Sequence, residues 1–214
     1  MTLLLALTGC CVPLTWPSEE GAFDHDLTAN LKLKTRERQW LLPGVNSTPP
    51  PPEPAVTSGQ CDELSDGGPV AGPGCITSTI QCGDTIIGHT AGGVDRFDTR
   101  FYEKKFCWPG TVQHDGGGER VYKLEMPSGE WRAFVWMDSP CADLDLFALK
   151  WDGDDCPTEA SMVRQCEAVL KAGKKQELVE LVHQGEATWY VVVEGRGAEE
   201  GAFALHIACR EGLQ

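Results

Sequence analysis

Two aspartates separated by one residue, Asp143 and Asp145, are the side chains of this sequence best suited to chemistry. On a β-strand, residues two apart point to the same face, so the two carboxylates would lie about 7 Å apart. Four further aspartates follow nearby, namely Asp138, Asp152, Asp154 and Asp155. Such a group can supply oxygen ligands to calcium, or an acid and a base to a small secreted hydrolase.

Asp143 and Asp145 can instead accept hydrogen bonds from backbone N–H groups at the corner of a sheet. We expect this arrangement, because two strand carboxylates supply too few of the roughly six to eight oxygens that calcium takes. The sequence has neither EF-hand spacing nor a Gly-Asp repeat to supply the others. A calcium site at these two aspartates is therefore the less favoured interpretation.

Other catalytic patterns are absent from the sequence. None of the five histidines lies in an HExxH motif, and no serine lies in a G-x-S-x-G elbow. Gly116–Gly118 lacks the following Lys and Ser/Thr of a phosphate loop. A net charge of −14 argues against nucleic acid as a partner. We expect a protein that is not an enzyme and has no cofactor other than the calcium considered above.

Ten cysteines are a heavy load for 214 residues, and none forms a CxxC pair. An even number spread over strand ends and loops predicts four disulfides in an oxidising compartment, with reduced buried thiols as the alternative. The eight cysteines concerned are Cys61, Cys75, Cys82, Cys107, Cys141, Cys156, Cys166 and Cys209.

The spacing of the cysteines favours two local disulfides, Cys61–Cys75 and Cys156–Cys166. The four others would then form two longer bridges, which close larger loops. Of the three pairings open to those four, we predict Cys82–Cys209 with Cys107–Cys141.

The amino terminus resembles a bacterial lipoprotein signal. Met1–Gly9 is a short apolar run, and Leu7-Thr8-Gly9-Cys10 resembles a lipobox, in which the cysteine is acylated. No Lys or Arg precedes Cys10, so the positive region of a signal would have to lie upstream of the given start. We predict lipidation at Cys10, with a buried apolar segment as the alternative.

The segment that follows is polar and rich in proline. From Pro43 to Ser58 it reads as a semi-rigid polyproline spacer, which could span roughly 50 Å at about 3.1 Å per residue. The predicted organisation is a signal segment at 1–10, a disordered Pro-rich stalk at 11–60, a disulfide-closed loop at 61–80 and a globular domain at 81–210.

The stretch from Gly118 to Trp151 predicts three antiparallel strands with turns between them. Further runs are strand-like, among them 76–80, 84–88, 94–101, 176–182, 188–194 and 202–208, whereas 156–166 favours a short helix. Thr188–Glu194 is apolar on both faces, so it should be a central strand. Eight or nine short strands predict an all-β fold, a two-sheet antiparallel sandwich of jelly-roll or immunoglobulin-like type, stapled by disulfides.

Three motifs in this region also carry a family resemblance. They are Ala142-Asp143-Leu144-Asp145-Leu146, the strand Thr188–Glu194 followed by Gly195, and the closing Gly201–Cys209. Their order resembles the bacterial pre-peptidase C-terminal domain over roughly Gln81 to Cys209. The resemblance implies a β-sandwich accessory domain without catalytic activity, and it permits calcium.

Eight aromatic side chains could form a binding face for a protein or a carbohydrate, although at strand spacing such residues are more often core. They are Trp108, Trp131, Trp136, Trp151, Trp189, Tyr102, Tyr122 and Tyr190. The sequence thus predicts a non-catalytic lipoprotein of the bacterial cell envelope, on the outer membrane or facing the periplasm. It would be held to the membrane by its lipid and would bind or present a ligand. The alternatives are the hydrolase considered above and a purely structural envelope protein.

Overall fold

The computed structural model describes residues 48–61, 74–108, 112–185 and 187–212. Cys10, the segment 1–10 and most of the predicted stalk lie outside these residues. The described elements are β1 (Ile76–Ile80), β2 (Thr85–His89), α1 (Thr99–Lys104), β3 (Glu119–Met126), β4 (Glu130–Asp138), β5 (Leu144–Lys150), β6 (Gln165–Val169), β7 (Glu177–Gln184), β8 (Ala187–Gly195) and β9 (Ala202–Glu211). Two 3-10 turns, Ser58–Gln60 and Arg196–Ala198, complete them.

These strands form a two-sheet sandwich, as predicted. One sheet has five strands in the order β1-β3-β8-β5-β6, and the other has four in the order β2-β9-β4-β7. Every described pair of strands is antiparallel except β1 and β3, which run parallel. The all-β, two-sheet fold expected from the sequence is therefore confirmed.

The alternation of β9 shows how the sequence builds the core between the sheets. Phe203, Leu205 and Ile207 point inward and join the main core cluster. Ala202 and Ala204 point to the outer face, where the sequence predicts exposure to solvent. Both alanines are nevertheless fully buried, because a segment from outside the sheets covers them.

Strand β8 is central in the five-stranded sheet, as predicted, and is buried on both faces. Trp189, Val191 and Val193 pack in the core between the sheets. Tyr190 and Val192 belong to a second core on the outer face of the same sheet. The sheet therefore needs a third layer to cover this outer apolar surface.

Helix α1 provides part of that third layer. The Asp98 side chain accepts a hydrogen bond from the Phe101 N–H at 2.6 Å, which caps the first turn. Phe101 and Tyr102 are buried, and the Tyr102 ring stacks on Phe147 of β5 with centroids 4.1 Å apart. The expected strand at 94–101 is wrong, because the helix cap at Asp98 and the apolar pair behind it favour a helical turn.

The segment 156–166 does not form the expected short helix either. It is a loop that leads into β6, and its cysteines face the second core rather than each other. The edge strand β6 pairs with β5 from Gln165 onwards, so extended backbone replaces the helix at this end.

Four disulfides join the described residues, and all eight predicted cysteines take part. The bridges are Cys61–Cys141, Cys75–Cys156, Cys82–Cys209 and Cys107–Cys166. Four disulfides indicate folding in an oxidising, extracytoplasmic compartment.

Of the predicted pairings, Cys82–Cys209 is confirmed and the other three are wrong. The two local bridges, Cys61–Cys75 and Cys156–Cys166, do not form, because Cys61 is bonded to Cys141 in the loop between β4 and β5, and Cys75 is bonded to Cys156. Cys107 lies directly after α1 and joins Cys166 on β6. Proximity in sequence is a poor guide here, since the third layer brings distant segments together.

Residues from Thr48 to Gln60 lie on the sandwich, where the sequence predicts a spacer. Val56 is 2% exposed and packs against Ala202 and Ala204 on the outer face of the four-stranded sheet. The Cys61–Cys141 disulfide fixes the end of this segment. Among the described residues, no helix is long and apolar enough to cross a membrane.

Candidate binding surface and buried polar cluster

Asp143 and Asp145 lie at the start of β5, where Arg196 contacts both carboxylates. Arg196 Nε is 3.2 Å from Asp145 Oδ2, and Arg196 Nη1 is 4.0 Å from Asp143 Oδ2. The Asp145 side chain is fully buried, whereas that of Asp143 is 20% exposed. The positive charge beside these two aspartates is therefore supplied by the protein itself.

Asp143 also caps backbone groups. The Gly173 N–H donates to Asp143 Oδ1 at 2.9 Å, and the Arg196 N–H donates to the Asp143 carbonyl oxygen at 2.9 Å. Throughout the described ranges, no group of three or more His, Cys, Asp or Glu side chains is arranged to hold a metal ion. The residues present thus do not fit a calcium site, and calcium binding stays a prediction to be measured.

The neighbouring aspartates do not converge on Asp143 and Asp145. Asp138 accepts a hydrogen bond from Gln176, and Asp152 pairs with Arg164. Asp154 is fully exposed. The acidic run that the sequence places in one region is therefore dispersed over separate partners.

A set of fully buried ionisable side chains lies beneath the third layer. We call it the buried polar cluster, and it consists of Tyr102, His114, Glu119, Asp145 and Glu194, each 0% exposed. The Tyr102 hydroxyl donates to Glu194 Oε2. His114 Nε2 lies 3.4 Å from Asp145 Oδ2, and His114 Nδ1 lies 3.8 Å from Glu194 Oε1.

Burial sets the protonation of this cluster. It raises the pKa of Glu194 to about 9, that of Glu119 to about 8 and that of Asp145 to about 7. Burial also lowers the pKa of His114 to about 4 and raises that of Tyr102 well above its ordinary value. At neutral pH, Glu194 and Glu119 are therefore protonated and His114 is neutral, so the contacts of His114 are not ion pairs.

The cluster is closed to a substrate. A cavity of about 470 Å³ adjoins it and is lined by Asp143 and Arg196, among others, but not by Asp145 or Glu194. A general acid must come within hydrogen-bond reach of the group that it protonates. Carboxyl groups with raised pKa values but no exposed surface do not meet this requirement.

The cluster instead attaches the third layer to the sheet. Glu119 Oε1, on β3, accepts hydrogen bonds from the N–H groups of Arg96 and Phe97, at 2.6 and 2.8 Å. Tyr102 on α1 reaches Glu194 at the end of β8. The segment before α1 and the helix itself are thus each held by a buried acid.

Sequence reasoning finds only Asp145 of this cluster. One signal for a second member is present, since Glu194 ends an otherwise apolar run, Val191-Val192-Val193. A lone acid in a strand buried on both faces needs a partner. That its partner is Tyr102 follows from α1, which the sequence pattern does not reveal.

An exposed apolar surface lies just beyond α1. Phe106 is 78% exposed and Trp108 is 69% exposed. Met162, on the loop before β6, is 81% exposed. We call these three side chains the aromatic loop patch. They are the most exposed large hydrophobic side chains of the described residues.

Hydrogen bonds and a disulfide fix the backbone that carries the patch. Lys105 Nζ donates to the carbonyl oxygens of Glu159 and Ser161, at 2.9 and 2.5 Å, which joins the loop after α1 to the loop bearing Met162. Between Phe106 and Trp108, Cys107 is fully buried and bonded to Cys166.

Phe106 itself has a φ angle of +56°, a left-handed conformation that is uncommon for a bulky residue. Such strain persists only where the surroundings enforce it, and it is concentrated at functional sites.

The eight aromatic residues considered as a binding face differ in their exposure to solvent. Trp189, Tyr102, Tyr122 and Tyr190 are fully buried, and Trp136 is 9% exposed. Trp131 and Trp151 are half-buried. Only Trp108 of the eight is exposed, so the core interpretation holds for most of them, and Trp108 alone remains a candidate for a binding face.

Comparison with known proteins gives structural likenesses only. No family model matches the chain, and no curated protein matches it. The chain is similar in structure to the pre-peptidase C-terminal domain of collagenase from Bacillus anthracis. The TM-score is 0.37 with 10% identity over 62% of this chain and 95% of that one.

Two other solved structures are similar to a comparable degree. PliG of Aeromonas hydrophila, a periplasmic inhibitor of g-type lysozyme, gives a TM-score of 0.35 with 10% identity over 62% of this chain and 96% of that one. TmCBM61, solved with β-1,4-galactotriose, gives 0.31 with 20% identity over 44% of this chain and 62% of that one. At these scores the likenesses say nothing about ligand or activity.

The buried polar cluster predicts a loss of stability at alkaline pH. The pKa of Glu194 is about 9 in the folded chain against an ordinary value of 4.5. Its contribution to stability is therefore complete below about pH 4.5 and is lost as the pH rises through about 9. We expect the melting temperature to fall between about pH 6 and pH 9.5.

Glu194→Gln should flatten this pH dependence, because glutamine stays neutral and its amide oxygen can still accept from Tyr102. Glu211→Gln, at the exposed end of β9, serves as the control and should leave the slope unchanged. Thermal melts followed by circular dichroism at the two pH values measure the effect. An equal slope in Glu194→Gln and the unmodified chain would contradict the assignment.

Asp143 and Asp145 predict a second outcome, concerning calcium. Neither saturating calcium nor a chelator should change the melting temperature, since Arg196 already contacts both carboxylates and Asp145 is fully buried. A bound ion at a hundredfold excess over its Kd would add about 2.7 kcal/mol, a shift of several degrees. Asp143→Ala should instead cost about 0.5–1.5 kcal/mol, the net value of an ordinary hydrogen bond, because the exposed Gly173 N–H loses its acceptor. A chelator that lowers the melting temperature of the unmodified chain would overturn this expectation.

Proposed function

We propose that this protein is a non-catalytic binding module of the bacterial cell envelope, which engages a partner protein through the aromatic loop patch. The supporting observation is the exposure of Phe106 and Trp108, at 78% and 69%, on a loop locked by the Cys107–Cys166 disulfide. Large apolar side chains that project from a rigid support are typical of interaction sites. A pre-formed loop also loses little conformational entropy on binding.

The chemistry of the patch favours a protein over a carbohydrate. Phe106, Trp108 and Met162 are all apolar at their tips except for the indole N–H. Aromatic residues and Met are enriched at protein interfaces, where Met adapts to irregular surfaces. A sugar site needs several polar groups beside its aromatic platform to bind hydroxyls. Here the adjacent ammonium of Lys105 is already committed to the carbonyl groups of Glu159 and Ser161.

A lipid at Cys10 would suit this function. The segment Thr48–Gln60 runs along the outer face of the four-stranded sheet, whereas α1 and the patch cover the outer face of the five-stranded sheet. The chain thus enters the domain on the opposite side of the sandwich from the patch.

A hydrolase that uses Asp143 and Asp145 is less well supported. Arg196 pairs with both carboxylates, and Asp145 has no exposed surface. A purely structural role gives no reason for the exposure of Phe106 and Trp108. Binding therefore accounts for more of the molecule than either alternative.

The patch is tested by site-specific photo-crosslinking in envelope extracts. A photoreactive residue at position 106 should capture a discrete partner, and an excess of the unmodified domain should compete. Phe106→Ala and Trp108→Ala domains should compete at least tenfold less well, because each loses a buried anchor of the interface.

Ile87 offers a matched control, since it is 48% exposed on the other sheet. The same photoreactive residue at position 87 should not capture this partner. Identical crosslinking patterns from positions 106 and 87 would contradict the proposed function. The alanine variants should keep the native melting temperature, because the two side chains lie largely in solvent.

Lipidation is tested separately. Expressed in a bacterium with its native start, the chain should partition into detergent, and Cys10→Ala should release it into the aqueous phase. The motif Leu7-Thr8-Gly9-Cys10 motivates this expectation. Equal partitioning of the two forms would rule out the lipid anchor while leaving the binding patch untouched.

A further inference from the structure

The contacts of the proline-rich segment repeat every third residue. Pro49, Pro52 and Ala55 are half-buried against the domain. The residues between them, Pro50, Pro51, Glu53 and Pro54, are exposed. A polyproline II helix has about three residues per turn, so every third side chain lies on one face. From Pro49 to Ala55 the burial pattern therefore has the period of a polyproline II helix lying along a surface, and the buried Val56, directly after Ala55, ends it.

The surface beneath this segment has the features that bind such helices. Pro49, Pro50 and Pro52 lie beside Trp136 and His206 of the four-stranded sheet and line a groove of about 210 Å³ with them. A second groove of about 390 Å³ runs along the other side of the segment. Grooves walled by aromatic side chains are the usual receptors for proline-rich segments.

Val56 fixes the register of the segment on this surface. It is 2% exposed and packs against Ala202 and Ala204, whose small side chains leave room for it. Ala202, Ala204 and His206 are alternate residues on the outer face of β9. The contact of Val56 with the alanines and the groove beside Trp136 therefore lie along the same strand. The contact of Val56 with the alanines marks one end of the site and Trp136 marks the other. A segment of about eight residues spans this distance.

We propose that the outer face of β9 and β4 is a binding site for proline-rich segments in the polyproline II conformation. The residues Pro49–Val56 of the chain itself occupy it as an intramolecular ligand. The Cys61–Cys141 disulfide lies five residues beyond Val56 and keeps this ligand at high effective concentration. The site therefore accepts a proline-rich peptide from solution only when its own segment is displaced.

The experiment uses full-length chains that differ in which face of the segment is altered. In the in-phase variant, Pro49→Gly and Pro52→Gly remove the two prolines that contact the domain. In the out-of-phase variant, Thr48→Gly and Glu53→Gly alter two exposed residues that line neither groove, and this variant serves as the control. A fluorescent peptide with the sequence of residues 48–57 is then titrated into each chain, and its anisotropy is followed.

The in-phase variant should bind the peptide, whereas the unmodified chain and the out-of-phase variant should not, because their own segment still covers this face of the sheet. A peptide with Gly at the positions of Pro49 and Pro52 should bind the in-phase variant at least tenfold more weakly. Trp136→Ala, added to the in-phase variant, should abolish binding.

Two results would overturn the site. One is equal behaviour of the in-phase and out-of-phase variants, whether both bind the peptide or neither does. The other is peptide binding by the Trp136→Ala form of the in-phase variant that is as tight as binding by the in-phase variant itself. Should the in-phase variant fail to fold, Pro52→Gly alone replaces it, since Pro52 lines both grooves. Crosslinking through Phe106 does not depend on this groove, so the two proposals can fail independently.

Discussion

The contact between Tyr102 and Glu194 ties the outer layer of this protein to its central strand. Glu194 ends β8, the strand on which both cores depend, and Tyr102 is the deepest side chain of α1. An ionised carboxylate at such a position would carry a large desolvation cost, whereas a protonated acid can be buried with few partners. The neutral imidazole of His114, 3.8 Å from the other Glu194 oxygen, suits a neutral acid rather than an anion. The second core is therefore held by Tyr102, Glu194 and His114 in their uncharged forms.

That arrangement explains how a small sandwich supports a rigid apolar loop. The third layer has only one short helix of its own, so its order comes from attachments to the sheet. Glu119 and Glu194 hold it from below, and Cys107–Cys166 holds its far end. Phe106 and Trp108 flank Cys107, so both exposed side chains lie next to this attachment. The opposite face of the sandwich is covered instead by the extended proline-rich segment.

The sequence predicts the sheets far better than the layer that covers them. The period of two in β9 and the two-sided apolar run of β8 identify both strands correctly, because each strand carries its own pattern. The choice of Cys82–Cys209 among the three open pairings is also correct; Cys82 lies just before β2, and Cys209 lies in β9, the strand that pairs with β2. Helix α1 is missed because six residues are too few for a helical period to be seen. The remaining disulfides are missed because each joins segments that are far apart in sequence, and Cys107–Cys166 also depends on where α1 lies.

The candidate surface follows the same division. Asp143 and Asp145 attract attention because their spacing is visible in the sequence, yet their partner Arg196 lies some fifty residues away and is not. Trp108 cannot be separated from the other tryptophans by pattern alone, since exposure is decided by the third layer. What the sequence does supply is the placement of Cys107 between two aromatic residues, a combination that anchors the backbone while leaving both rings free.

The disulfide topology has a consequence for how the chain matures. Each native bridge spans at least 59 residues, and Cys82 must wait for Cys209, 127 residues later. A chain that emerges amino terminus first exposes Cys61, Cys75 and Cys82 together, long before any of their native partners. Oxidation in order of synthesis would therefore join cysteines that are not native partners. Strand β1, between Cys75 and Cys82, cannot take its native place until its parallel partner β3 has been synthesised. Correct maturation of this domain thus depends on thiols that stay reduced, or are reshuffled, until almost the whole chain has been delivered to the oxidising compartment.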